Sequence, residues 1–171
     1  SWIQNGDRHR QHAQSMAASS PALAREAYLS AWRYYGFGAW PTQNTAQKRR
    51  AHALATEAFR AYAHLASPAI EVVRIPFEGR EIIGYLQRPE GIAKPPVVLT
   101  IGGLDSYKEF VVEQFGAAYL KAGVAYLALD MPGRKTLDWT WLPGKTTTSW
   151  LSIDDLWWLM ARNARLKTLN R

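Results

Sequence analysis

An α/β fold, in which a helical layer precedes an antiparallel hairpin and a parallel strand–helix–strand unit, is predicted by three features of this sequence. Val97 to Ile101 is a short, continuously apolar run that stops at Gly102-Gly103 and passes into a helical pattern. That order suits a strand buried on both faces of a mostly parallel sheet, followed by its crossover helix. A second such run, Val124 to Leu129, closes at Asp130-Met131-Pro132-Gly133. Ahead of both, apolar residues recur at helical spacing and then switch to strand-like alternation near Ile70.

The helical layer extends from Ser20 to about Ala66. Ser20-Pro21 supplies an N-cap and a preset first residue. Leu23, Tyr28, Trp32 and Tyr35 then form one apolar stripe, and Gly36-Phe37-Gly38 ends the helix. Trp40-Pro41-Thr42 restarts the chain, and Ala46 to Ala66 carries an alanine-rich helix with Ala55, Phe59, Tyr62 and Leu65 on a common face, until Ser67-Pro68 breaks it. Ile70 to Phe77 and Ile82 to Pro89, joined by the turn Glu78-Gly79-Arg80-Glu81, read as a hairpin. Pro76 and Pro89 suit strand ends or an edge, where a missing N–H costs no ladder bond.

Ser106-Tyr107-Lys108-Glu109 matches a capping box, so the next helix should begin there and run to Lys121, with Gly123 just past its end. The sheet then closes with Val124 to Asp130 as its fourth strand. Beyond Gly133 the character shifts: residues 134–171 hold five tryptophans, three consecutive threonines and no glutamate. Ile153 to Leu169 has a helical pattern through Leu156, Trp157, Met160 and Ala164, but no further buried strand is apparent.

Composition narrows the function. The chain has 171 residues, 47% of them hydrophobic and 12% aromatic, which is enough to fill a core. No apolar run reaches 18 residues and the N-terminus has no apolar h-region, so neither a membrane span nor a secretory signal is expected. The absence of cysteine excludes disulfides and thiol catalysis, and fits a soluble, cytoplasmic protein. A net charge of +7 and a pI near 9.8 invite a nucleic-acid reading. The basic residues are scattered, however; Lys48-Arg49-Arg50 is the only run of three, and no nucleic-acid motif accompanies it.

Several residues have two readings. Gly102-Gly103-Leu104 either forms a loop whose N–H groups stabilise negative charge at the sheet end, or is an ordinary tight strand-to-helix turn. Asp105 is either a catalytic carboxylate or a residue favoured for its charge near a helix N-terminus. Ser106 reads as an N-cap rather than a nucleophile, and Asp130 as the end of its strand. Trp32, Tyr34, Tyr35, Phe37 and Trp40 either line a substrate pocket or pack the core. The histidines are His9, His12, His52 and His64, and the H-x-x-H pair lacks a carboxylate at ligand spacing, so neither a metal nor a cofactor is expected.

Taken together, Gly102-Gly103-Leu104-Asp105-Ser106-Tyr107-Lys108-Glu109, Asp130-Met131-Pro132-Gly133, the hairpin around Ile75-Pro76-Phe77-Glu78-Gly79-Arg80 and the preceding helices resemble a particular group of α/β-hydrolases. This is the group related to the fermentation-respiration switch esterase, which includes a hydrolase that cleaves a carbon–carbon bond next to a carbonyl. The resemblance spans residues 20 to 133 and is most specific in the G-G-L-[DE]-S-x-K-E run. It implies a partial α/β-hydrolase sheet and three regions: a cap-like helical segment (1–66), the N-terminal half of a hydrolase domain (67–133) and a divergent tail (134–171).

The same resemblance implies a serine activated by a histidine that an aspartate orients, with part of an oxyanion hole from the loop after the third strand. Carried over, Gly103 and Leu104 match that loop. Asp105 stands where the carbon–carbon hydrolase has a glutamate implicated in catalysis, one methylene longer. The chain departs from the family where Arg134-Lys135-Thr136-Leu137 follows the Pro-Gly turn. It also has no G-x-S-x-G elbow and no histidine after His64. The expected activity is therefore hydrolysis of an ester or a carbon–carbon bond in a small carbonyl substrate by the complete enzyme. The 171-residue chain is expected to be truncated and inactive, with homo-oligomerisation through an exposed sheet edge; the alternative is a non-catalytic fragment or binding remnant.

Overall fold

The computed structural model of the chain describes residues 1–40, 45–77, 80–102 and 106–130. The expected Pro-Gly turn after Asp130 and the helical pattern from Ile153 to Leu169 lie outside the described residues. The chain divides into two compact units, Ser1–Ala69 and Ile70–Arg171.

The first unit is a set of three helices, α1 (Trp2–Met16), α2 (Pro21–Ala39) and α3 (Ala46–His64). Helix α1 falls where sequence periodicity indicates no element. Its start is fixed by a capping box: the Gln4 N–H donates to Ser1 Oγ, and the Ser1 amino group donates to Gln4 Oε1 at 2.7 Å. Only Gly6 and Ala13 of α1 are buried, a face too small to register as an apolar stripe.

Pro21 occupies the first turn of α2 as expected, but the Ser20 side chain makes no capping bond. Nor does α2 stop at Gly36-Phe37-Gly38; it continues to Ala39, and the Trp40 N–H donates to the Phe37 carbonyl. The inward face of α2 also differs from the predicted stripe. Leu23 is 60% exposed, whereas Ala24, Ala27, Ala31 and Tyr35 are buried. Small side chains let the helices approach closely, and Ala31, Tyr35, Ala55 and Ala58 form the cluster against which Ile3, Trp32 and Leu54 pack. On α3, Ala55 and Phe59 are buried as predicted, while Tyr62 and Leu65 are half-buried.

Tyr35 is the centre of this unit. A Cβ on Gly6 would lie 2.4 Å from Tyr35 Cε1, so α1 can pass over the ring only with glycine there. The Tyr35 hydroxyl donates to Asp7 Oδ1 at 2.7 Å. Burial, reinforced by that bond to a carboxylate, pushes the phenol well above its ordinary pKa. Gly36 is the opposite case, because a Cβ there would meet nothing within 4 Å. Since glycine costs roughly 0.5–1 kcal/mol relative to alanine inside a helix, Gly36→Ala is expected to stabilise the chain by about that amount. Urea unfolding checks this; a lower midpoint would contradict it.

The second unit contains β1 (Ile70–Phe77), β2 (Arg80–Gln87), β3 (Val97–Ile101), α4 (Lys108–Lys121) and β4 (Ala125–Leu129), and its described strands form one sheet in the order β1-β2-β4-β3. β1 and β2 are antiparallel, as the hairpin pattern predicts, with Ile75 opposite Ile82. β3 and β4 are parallel, pairing Val97 with Ala125 and Ile101 with Leu129. The strand–helix–strand unit is therefore as predicted, and Gly123 follows the helix at φ 74°.

All five residues of β4 are buried. Its Leu127 and Leu129 join Val73, Ile75, Ile82 and Leu86 in an aliphatic cluster. On its other face Tyr126 lies against Tyr119 of α4, and the Tyr126 hydroxyl donates to Gln87 Oε1 at 2.6 Å. The expectation of burial on both faces fails for β3. Val98 and Ile101 are 36% and 37% exposed. The reason is topological: β4 lies between β2 and β3, which leaves β3 as an edge among the described strands.

Candidate functional site

The parallel register of β3 and β4 brings their C-terminal ends level, so Gly102 and Asp130 emerge side by side beyond Ile101 and Leu129. The Gly102 N–H donates to the Leu129 carbonyl at 3.4 Å. In sheets of this kind ligands bind outside the carboxyl ends of the strands. Here the chain leaves the sheet at Gly102 and returns at Ser106. The predicted oxyanion residues Gly103 and Leu104, and the predicted carboxylate Asp105, lie outside the described residues.

The two shoulders of that loop are closely spaced. A Cβ on Gly102 would lie 2.4 Å from the Ser106 carbonyl oxygen and 3.0 Å from its carbon. The return is tight, and only glycine leaves space for it.

Helix α4 corrects the capping prediction. It begins at Lys108, with Tyr107 at the N-cap and no side-chain capping bond, so Ser106 lies one residue before the N-cap. An acceptor from another element takes over the task. The Lys108 backbone N–H donates to Asp130 Oδ1 at 2.8 Å, and Lys108 Nζ donates to Asp130 Oδ2 at 2.6 Å. Lys108 Nζ also lies 3.1 Å from Glu109 Oε1 and 5.6 Å from the centre of the Tyr85 ring. Lys108, Glu109 and Asp130 are all buried. Asp130 thus does more than end its strand: it ties the start of α4 to the end of β4.

Burial alone would lower the Lys108 pKa, but the carboxylates of Glu109 and Asp130 outweigh it and hold the pKa above its ordinary value. Lys108 therefore stays an ammonium group at neutral pH, which suits it to hold charge in place and not to attack a carbonyl.

The remaining predicted residues lie in the helical unit. Tyr35 belongs to its core, and Trp32 meets Phe59 edge-on at 5.4 Å. Tyr34 and Phe37 instead line an open groove of about 450 Å³ with Trp2, His9, Ser30 and Arg33. His9 stacks on Tyr34 with ring centres 5.0 Å apart. Among the described residues no group of three or more histidines or acidic residues could hold a metal ion.

Sequence reasoning missed the Lys108–Asp130 pair. Its signal was present in the Lys108-Glu109 end of the motif and in a charged residue at the end of a fully apolar strand.

The chain is similar to several known proteins. A family model described as esterase FrsA-like matches residues 1–148. The hydrolyase poxO of Penicillium oxalicum is 30% identical over 142 residues, covering 78% of this chain and 34% of that protein. The esterase FrsA of Vibrio cholerae is 27% identical over 132 residues, covering 77% of this chain and 31% of that protein. Among solved structures, a 2,6-dihydroxy-pseudo-oxynicotine hydrolase superposes with a TM-score of 0.71 at 26% identity, over 77% of this chain and 37% of its own. The chain thus spans about a third of the length of the curated relatives it matches.

Proposed function

The chain belongs to the FrsA-like esterase family, and from that membership we propose that it supplies the oxyanion-loop half of an α/β-hydrolase acting on a small carbonyl substrate. In this reading the N–H groups of Gly103 and Leu104 stabilise the oxyanion of a tetrahedral intermediate, and Asp105 handles a proton on the ketone or the leaving carbanion. The bond cleaved is an ester or a carbon–carbon bond next to a carbonyl. Residues 1–66 act as a cap, residues 67–133 as the first half of the catalytic domain, and residues 134–171 as a divergent tail. A cytoplasmic location and self-association through the β3 edge belong to the same proposal. Supporting them are the absence of cysteine, the absence among the described residues of a helix long and apolar enough to cross a membrane, and the exposure of Val98 and Ile101.

The observation that carries the reading is the tight return from Gly102 to Ser106 at the carboxyl end of a parallel strand pair, in a family of hydrolases. The nucleophile must come from elsewhere, because these 171 residues contain neither a G-x-S-x-G elbow nor a histidine after His64. Oxyanion donors without an activated nucleophile cannot form an acyl-enzyme, the step that gives efficient turnover. The 171-residue polypeptide is therefore expected to release no p-nitrophenol from its esters above a buffer blank, and to resist a serine-directed fluorophosphonate. Stoichiometric labelling of one serine, with turnover lost on its replacement, would defeat the assignment of the nucleophile to another segment.

A fusion of residues 1–133 to the remainder of the Vibrio cholerae esterase tests the hydrolase reading directly. Serine-dependent turnover is the expected result. A folded, fluorophosphonate-reactive fusion without turnover would favour the second reading, a binding remnant of the same fold.

A further inference from the structure

We infer that Lys108 and Asp130 are positioning residues for the shoulders of the oxyanion loop, an inference that rests on the reading of that loop just given. Two features separate this pair from ordinary buried ion pairs. Asp130 binds Lys108 twice, through the backbone N–H at 2.8 Å and through Nζ at 2.6 Å. The first contact fixes the main chain where the loop re-enters the helix, two residues after the Ser106 carbonyl that Gly102 faces. The second fixes the carboxylate itself, because an ammonium group held between Asp130, Glu109 and the Tyr85 ring has no room to swing away.

Asp130 is in turn anchored by β4, whose residues are buried throughout. The Gly102 N–H bonds to the Leu129 carbonyl, so the two ends of the loop are referred to consecutive residues, one shoulder to the backbone of Leu129 at the end of β4 and the other to the side chain of Asp130 just after it. A loop whose N–H groups must face a developing charge needs both ends held in this way, since catalytic donors lose most of their effect when displaced by about 1 Å.

Buried ion pairs are often replaceable by apolar residues of similar volume without loss of stability. That property separates positioning from mere stabilisation. Hydrogen exchange is measured on the 171-residue chain at the amides of Gly102 and of Ser106, Tyr107 and Lys108, with Tyr126 to Leu129 of β4 as internal reference. Single replacements Lys108→Met and Asp130→Leu should destabilise, and the double variant Lys108→Met/Asp130→Leu should recover the parent's urea midpoint. In the double variant the Lys108 amide has lost its acceptor in any case, so the readout is Ser106 and Tyr107, where exchange should stay at least tenfold faster than in the parent, with the β4 amides unchanged. Return of those amides to parental exchange along with the midpoint would overturn the inference.

Should the double variant fail to fold, Asp130→Asn, which keeps an oxygen for the Lys108 N–H, is read in the same way. Faster exchange confined to Ser106–Lys108 supports the inference, and uniform loosening of the unit overturns it. Methylphosphonate, a tetrahedral anion, separates this inference from the reading beneath it. If the anion shifts none of the loop-shoulder amide resonances in the parent, the oxyanion assignment falls. The exchange result stands or falls independently, because it needs no ligand.

Discussion

Replacement of Asp130 by alanine is expected to lower the unfolding free energy by about 3–5 kcal/mol, the loss typical when one partner of a buried ion pair is removed. The alanine leaves the Lys108 ammonium buried and takes away the acceptor of the first N–H of α4. Glu109 remains 3.1 Å from the ammonium, so the charge is not wholly abandoned and the lower half of that range is the expected outcome. Urea unfolding with an unchanged slope checks it; a loss below about 1 kcal/mol would show that water or a shifted side chain replaces the carboxylate.

The pH dependence has a definite sign. The folded-state pKa of Lys108 is raised, so its contribution is fully present below the ordinary lysine value of 10.5 and is lost as pH rises through the folded value above it. Tyr35 acts in the same direction from its own ordinary value of 10.0, since the unfolded phenol ionises first. Measured in a Tyr35→Phe background, the alkaline decline belonging to Lys108 should therefore shrink on Asp130→Ala. An unchanged decline would mean that the carboxylate does not hold the proton on the ammonium.

Gly102→Ala is expected to be more damaging than Gly84→Ala, although both glycines lie in the sheet unit. The added methyl would meet a backbone oxygen, that of Ser106, at 2.4 Å. At Gly84 the closest atom at the same distance is the Cδ2 of Leu129, the end of a side chain, and the nearest backbone atom, the Ala128 oxygen, is further off at 3.2 Å. Overpacking typically costs 1–3 kcal/mol, and the upper part of that range, about 3 kcal/mol, is expected at Gly102 because the obstacle is main chain. Gly84→Ala should fall nearer 1 kcal/mol. If the two variants unfold at the same urea concentration, the tight return at Gly102 is not a constraint on the fold.

The legible parts of the sequence were those governed by one element at a time. The hairpin, the parallel pairing of Val97–Ile101 with Ala125–Leu129 and the end of α4 before Gly123 all follow from local period and turn chemistry. The errors arise where a partner from another element decides. An S-x-x-E spacing predicts a cap at Ser106, but Asp130, distant in sequence, supplies the acceptor for the start of α4. Apolar continuity predicts a fully buried β3, whereas the order β1-β2-β4-β3 gives that place to β4. In the helices, large residues suggest the contact face, yet alanines form it and Leu23 points to solvent. Helix α1 escaped notice because its buried face is only Gly6 and Ala13. The candidate site was legible as a motif through its glycines, but its charged anchor was not, since Asp130 matters only once β4 lies beside β3.

The strand order also dictates when this sheet can assemble. β4 pairs with both β2 and β3, and those two strands do not pair with each other. A nascent chain that has emerged only as far as α4 holds a hairpin and an isolated strand, and isolated hairpins are marginal in water. Pairing of the four described strands waits for Leu129, the last residue of β4, which must enter between two earlier ones. A ribosome that stalls shortly before that point presents Val97 to Ile101 unpaired, the kind of exposed apolar strand on which chaperones and aggregation compete.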